Sequence, residues 1–259
     1  MFDLSYLVEI LTPKSTDPAD SMEKLNQFAE RYYRVLDSGL GFSFPDNPMG
    51  QPRSGLLKTI EKADLPVVPD RTVMNLNTFH EKKELDEILR KAMETGIKYL
   101  LVIRGDGGPL LPKLDPQSIG GARNVATSID LLRHINTTYK DKFITGSAYN
   151  QYNPMPFEQD RLKEKKSAGA QFVITQPVIG KDPNIDSILD LGIPIVIEAW
   201  MSMNLDLLFK SVRKKKDEHI KDYDPVINLR TIHNVYPDSC VYLSMLGFKK
   251  QWRAVLPKF

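Results

Sequence analysis

The sequence predicts a (β/α)8 TIM barrel in a single domain spanning residues 1–259. Three observations carry this. Eight short apolar runs rich in β-branched residues alternate, over most of the chain, with longer stretches of helical period. No hairpin dipeptide of the Asn-Gly or Asp-Gly kind joins consecutive runs, so parallel pairing through right-handed crossovers is the expected connection. The length of 259 residues is close to the roughly 250 typical of eight βα units. An open doubly wound sheet is the alternative.

The first strand is expected within Tyr6–Leu11. Asp17-Pro-Ala-Asp20 reads as a helix start, and Leu25, Phe28, Ala29, Tyr32, Tyr33 and Leu36 then recur at spacings of three and four, predicting a helix over Met22–Leu36. Phe42–Phe44 is the second strand, Leu56–Ala63 a short helix, Thr72–Leu76 the third strand and Lys83–Glu94 an amphipathic helix closed by Gly96. Lys98–Arg104 is almost continuously apolar, as a parallel strand buried on both faces should be. The order continues with helix Ala122–Ile135, strand Phe143–Tyr149, helix Phe157–Ala168, strand Phe172–Val178 and helix Asn184–Leu191. Strand Pro194–Ala199, helix Leu205–Lys216 and strand Val241–Leu246 complete it.

Composition narrows the function. Lys plus Arg number 35 against 33 for Asp plus Glu, and a net charge of +2 makes no electrostatic case for nucleic acid or a membrane surface. The single cysteine, Cys240, excludes an internal disulfide and a cysteine-built zinc site and reads as a small core residue; the four scattered histidines lack metal-ligand spacing, so no metal is expected. No apolar run approaches the ~20 residues of a membrane span, and Met1–Tyr6 does not read as a signal peptide, so a cytoplasmic location is expected. Arg213-Lys-Lys-Lys216 reads as the solvated face of a helix.

In such a barrel the chemistry lies at the C-terminal ends of the strands. Glu9 interrupts the apolar run Leu7–Leu11. It is either a tolerated inward polar residue paired with a cation or a desolvated carboxyl suited to general-acid work near neutrality. Arg104-Gly-Asp106 ends the most apolar strand, where Asp106 is expected to face the cavity and Gly105, Gly107 and Gly108 to let backbone approach a ligand. Thr175-Gln176 sits inside the apolar run Phe172–Val178, and a buried amide needs partners for its donors and its acceptor. A ligand with alternating donors and acceptors, such as a pterin, would supply them.

Taken in order, Glu9 within Val8–Pro13, Arg104-Gly-Asp106, Ser147-Ala-Tyr149 with Pro154 beyond it, and Ala168-Gly-Ala170 leading into Ile174-Thr-Gln176 resemble the methylenetetrahydrofolate reductase family. The match is clearest over residues 71–200, thinner before and weak after. The resemblance implies a (β/α)8 barrel carrying FAD, which takes hydride from NAD(P)H and passes it to 5,10-methylenetetrahydrofolate, giving 5-methyltetrahydrofolate. By position, Glu9 resembles the acid that protonates the folate N10, Asp106 the carboxylate near the pterin that stabilises positive charge and tunes the flavin, and Gln176 the amide that orients the pterin. A homo-oligomer, or a place in a one-carbon complex, is the implied assembly.

The departures fall on the cofactor side. Asn75-Leu-Asn-Thr78 stands where many members have His-Leu-Thr-Cys, Asn153 stands where the family has a histidine, and the phosphate-holding basic pair aligns with Glu164 and Lys165. A tyrosine expected near Val125 is missing. The flavin positions implied by the resemblance are Ser43, Asn75, Arg104, Gly105, Asp106, Tyr149, Asn153 and Lys165. An Arg-to-Glu exchange beside a diphosphate removes charge-assisted hydrogen bonds and adds repulsion. A reductase that works without flavin, and a redox-inactive folate-binding partner in a one-carbon or methyl-transfer complex, are therefore the alternatives.

Overall fold

The computed structural model describes residues 4–15, 21–215, 220 and 222–255. The expected helix start at Asp17–Asp20, and Lys216 and His219, lie outside them. Eight parallel strands close a barrel in chain order: β1 (Tyr6–Glu9), β2 (Gly41–Phe44), β3 (Thr72–Leu76), β4 (Tyr99–Val102), β5 (Ile144–Tyr149), β6 (Phe172–Thr175), β7 (Ile195–Trp200) and β8 (Val241–Ser244). The helices are α1 (Ser21–Asp37), α2 (Leu56–Lys62), α3 (Lys82–Glu94), α4 (Ser128–Thr138), α5 (Phe157–Ser167), α6 (Pro183–Asp186), α7 (Leu205–Ser211), α8 (Pro225–Val235) and α9 (Trp252–Val255). Among the described residues no helix is long and apolar enough to cross a membrane.

The chain divides into two compact units, one of Met1–Glu9, Ala148–Leu162 and Phe172–Phe259, the other of Ile10–Ser147 and Lys163–Gln171. In the second, β2, β3, β4 and β5 pair in parallel register, with Ser43 opposite Val73, Asn75 opposite Leu101 and Val102 opposite Ser147. An aromatic stack packs α1 onto β2: Tyr32 lies 4.5 Å from Phe42 between ring centroids, and its hydroxyl donates to the Pro66 carbonyl at 2.5 Å. The helix expected from Ala122 starts instead at Ser128, because Thr127 and Asp130 form a reciprocal capping box there.

In the first unit, β6–β7, β7–β8 and β8–β1 are parallel, with Glu198 opposite Tyr242 and Val8 opposite Leu243. The strand expected to run to Val178 stops at Thr175. Pro177 offers no N–H to the ladder, and pairing resumes only as the single bridge Val178–Ala199. The expected helix Asn184–Leu191 is split into α6 and a 3-10 turn at Leu189–Leu191, and the one expected to reach Lys216 ends at Ser211. Sequence reading passed over α8, which the Asp224 carboxylate caps by accepting from Val226 N–H and Ile227 N–H. Cys240 is half-buried rather than in the core, and burial pushes its thiol up to about 12.

Candidate functional site

Glu9 is the last residue of β1, where an apolar strand delivers it half-buried. Tyr242 on β8 donates its hydroxyl to Glu9 Oε2 at 2.6 Å, and Met245 N–H donates to Oε1 at 3.1 Å. Both of these neighbours are donors. Met245, just past β8, holds a left-handed backbone with φ of 57°, which points its N–H at Glu9.

Gln176, expected as a buried amide, is half-buried and lies one residue beyond β6. Its backbone is clamped by Gln151, which sequence reading did not select. Gln151 Oε1 accepts from Gln176 N–H at 3.1 Å, and its Nε2 donates to the Gln176 and Pro177 carbonyls at 2.9 and 3.2 Å. Among the described residues the Gln176 side-chain amide makes no hydrogen bond, so its donors and acceptor stay available to a heterocycle. Tyr149 and Asn153 are in the same unit, but their polar groups are engaged: the Tyr149 hydroxyl donates to Asn184 O at 3.0 Å and Asn153 Nδ2 donates to Glu158 Oε2 at 2.8 Å.

A carboxyl that sequence reading missed completes this group. Glu198, the fourth residue of β7, is half-buried, and desolvation pushes its pKa up to about 8; a hydrogen bond with Ser244 lowers it and the charge of Glu9 raises it. The signal was present, since Glu198 interrupts the apolar run Ile195–Trp200 just as Glu9 interrupts β1.

In the second unit Arg104 and Asp106 lie in the loop after β4, both exposed. Asp106 Oδ2 accepts from Met49 N–H at 2.8 Å, which fixes the carboxylate against the loop after β2. The adjoining glycines were expected to admit a ligand; they admit the chain itself. A Cβ on Gly50 would stand 1.9 Å from the Gly107 carbonyl oxygen, and one on Gly108 2.4 Å from that of Gly50. Two backbones meet there with no room for side chains. Likewise a Cβ on Gly105 would strike Asn77 at 2.9 Å.

Next to that junction is a cavity of about 310 Å³ between β2, β3, α2 and α3, lined among others by Phe44, Asp46, Arg53, Asn75, Phe79 and His80. Its polar wall is a buried ion pair. His80 Nε2 lies 2.7 Å from Asp46 Oδ2, and His80 Nδ1 lies 3.1 Å from Glu84 Oε2. Burial alone would lower the histidine pKa, but the two carboxylates outweigh it and raise it to about 9. Asp46 Oδ2 also accepts from Asn77 N–H at 2.9 Å, so the pair ties the end of β3 to the loop after β2. Arg104 and Asp106 do not line this cavity; of the expected flavin positions, only Asn75 does.

The fit to a flavin is therefore uneven. Among the described residues Ser43 Oγ, Asn75 Oδ1 and Ser147 Oγ are buried on β2, β3 and β5 without a hydrogen-bond partner, a cost that a polar ring edge would relieve. The phosphate side is weaker. Lys165 is buried in the last turn of α5 with contacts of its own, and Glu164 is exposed.

A model of the family "Methylenetetrahydrofolate reductase" matches residues 5–185. The curated methylenetetrahydrofolate reductase 1 of Schizosaccharomyces pombe (strain 972 / ATCC 24843) is 32% identical over a 147-residue alignment that covers 51% of this chain and 24% of that protein. The matched part thus spans about a quarter of the relative's length. Among solved structures, 2,3-dimethylmalate lyase, a PEP mutase/isocitrate lyase superfamily member, superposes with a TM-score of 0.48 at 12% identity, covering 96% of this chain and 77% of that one. The 7,8-dihydropteroate synthase from Vibrio fischeri ES114 gives 0.46 at 12% identity, covering 93% and 87%.

Proposed function

We propose that this chain, which belongs to the methylenetetrahydrofolate reductase family, reduces the methylene carbon of 5,10-methylenetetrahydrofolate to a methyl group with electrons from NAD(P)H. The observation that carries the proposal is Glu9, brought by an apolar strand to the C-terminal end of β1 and held there by the Tyr242 hydroxyl and Met245 N–H. A carboxyl so fixed can deliver a proton to the amine nitrogen of the five-membered ring. Protonation weakens that nitrogen's bond to the methylene carbon, and the ring opens to an iminium cation that accepts hydride.

Gln176, whose amide is unspent, orients the pterin edge. In the other unit Met49 N–H fixes the Asp106 carboxylate, the group to which the family resemblance gives the negative charge that favours the cation. Ser43, Asn75, Arg104 and the Gly105 backbone are the groups that would hold a flavin's ring and its polar substituents. A bound flavin would supply a two-electron carrier between nicotinamide and folate. The engaged side chains of Tyr149 and Asn153 and the buried Lys165 favour a second reading, in which hydride passes directly from the nicotinamide to the folate.

The test is turnover of Glu9→Gln. With the wild-type chain oxidising NAD(P)H in the presence of 5,10-methylenetetrahydrofolate, the variant is expected to lose folate reduction by about 10²-fold or more. It should still bind folate, and any flavin it retains should still be reduced by NAD(P)H. Full turnover by the variant would remove Glu9 from the reaction.

A further inference from the structure

Gln176 heads a segment that no ladder holds. β6 ends at Thr175, and strand pairing returns only as the single bridge at Val178. Backbone outside regular structure still needs partners for its N–H and C=O groups. Here side chains supply them at three successive carbonyls. Gln151, 2% exposed in the segment after β5, donates to the Gln176 and Pro177 carbonyls at 2.9 and 3.2 Å. The Tyr152 hydroxyl donates to the Pro177 carbonyl at 2.7 Å. Asn228 on α8 donates to the Val178 carbonyl at 2.9 Å and accepts from Gly180 N–H at 2.8 Å. Gln151 Oε1 and the Tyr149 carbonyl both accept from Gln176 N–H, at 3.1 and 2.9 Å.

The clamp is itself held. Asn184 on α6 donates to the Gln151 carbonyl at 3.0 Å, and its own carbonyl accepts from the Tyr149 hydroxyl at 3.0 Å. The Asn150 side chain accepts from Tyr152 N–H at 3.0 Å. Burying a glutamine costs free energy unless its amide is satisfied, and Gln151 meets that need with bonds to this backbone. Pro177 adds a restriction of its own, keeping the Gln176 backbone extended. The Gln176 side-chain amide, at the head of this fixed segment, makes no hydrogen bond among the described residues. A rigid base under an uncommitted amide is what preorganised recognition requires.

We infer that Gln151 and Tyr152 are positioning residues of the folate site: they lock the Gln176–Pro177 backbone so that the Gln176 amide meets the pterin edge already oriented. The inference deepens the proposed reaction and rests on it for the identity of the ligand. Both residues act through Gln176 and do not themselves touch the folate. The segment Tyr149–Asn153, which the resemblance gives to the flavin, serves the folate side in this chain.

The deciding experiment is a double-mutant cycle on the full chain, read as calorimetric binding of 5-methyltetrahydrofolate, which needs neither flavin nor turnover. Gln176→Ala is expected to weaken binding by about 10-fold, the scale of one hydrogen bond lost in a desolvated site. Gln151→Met, close in length but without the amide, should weaken it by about as much, and adding it to Gln176→Ala should change nothing further. Losses that multiply in the double variant, or a Gln151→Met chain that binds as the wild type does, would overturn the inference. Tyr152→Phe keeps the ring and removes one hydroxyl. It should weaken binding by about 3-fold, again only while Gln176 is present, and it decides the matter if Gln151→Met does not fold. In turnover, Gln151→Met should raise the KM for folate by about 10-fold with kcat within about 2-fold of the wild type. Damage to the fold at large lowers kcat and leaves KM alone, and that pattern would count against positioning. Without folate, hydrogen exchange at Gln176 and Val178 N–H should be about 10-fold faster in Gln151→Met, and an unchanged rate would overturn the clamp. Because exchange is read without folate, a chain that shows the clamp but binds no folate would refute the proposed reaction and leave the hold of Gln151 on Gln176 standing.

Discussion

Tyr242 on β8 donates its hydroxyl to Glu9 Oε2 at 2.6 Å, joining residues 233 positions apart in the chain. A hydrogen bond to a charged group is worth ~1.5–3 kcal/mol, so its loss should be felt at the acid itself. Tyr242→Phe keeps the ring and removes only the donor. Folate reduction is expected to fall by about 10-fold or more and the melting temperature by several degrees, checked by steady-state turnover beside thermal unfolding.

The His80–Asp46 pair makes stability depend on pH. The folded pKa of about 9 lies above the ordinary histidine value of 6.5, so the contribution is fully present below pH 6.5 and is lost as pH rises through about 9. Asp46→Asn removes the closer of the two anions. It is expected to cost about 2–4 kcal/mol at neutral pH and to flatten that alkaline slope, measured as Tm against pH. An unchanged slope would show that Asp46 does not hold the charge on His80.

Glu198 acts on stability in the same direction for a different reason. Its folded pKa of about 8 lies above the ordinary glutamate value of 4.5, so the folded state is least burdened below pH 4.5 and loses stability as pH rises through about 8. Glu198→Gln has no charge to bury. Above pH 8 the variant is expected to melt higher than the wild type, by on the order of 5 °C, with the difference closing at acid pH.

Gly50 and Gly107 set the loop junction that carries Asp106. Gly50→Ala would place a methyl 1.9 Å from the Gly107 carbonyl oxygen, at a φ of +67° that L residues rarely adopt. The expected cost is about 3 kcal/mol or more, and the Met49–Asp106 hydrogen bond should be disturbed with it. Denaturant unfolding measures the first, and folate affinity the second.

The strands were legible because buried parallel strands read as apolar runs bounded by turns, and Lys98–Arg104 and Thr72–Leu76 are of that kind. Their ends were not. Pro177 stops β6 early, and the Thr127–Asp130 cap moves the start of α4. Helix α8 escaped because Asn228 sits on its buried face and donates to Val178 O, a polar break in the apolar period. Glu9 and Gln176 could be chosen as polar residues in apolar strands, and Glu198 met the same test without being chosen. What no local pattern offers is pairing: Asp46 and His80 are 34 positions apart, and only the register of the strands brings Tyr242 to Glu9. The glycines after β4 show the opposite failure, a correct signal of close approach whose partner is the chain's own backbone.

The most direct test of the account is to incubate the purified chain with 5,10-methylenetetrahydrofolate and NADH or NADPH, with and without added flavin, and to assay for 5-methyltetrahydrofolate. The account predicts its formation, dependent on Glu9. Folate bound at the site but returned unreduced under every one of these conditions would contradict it.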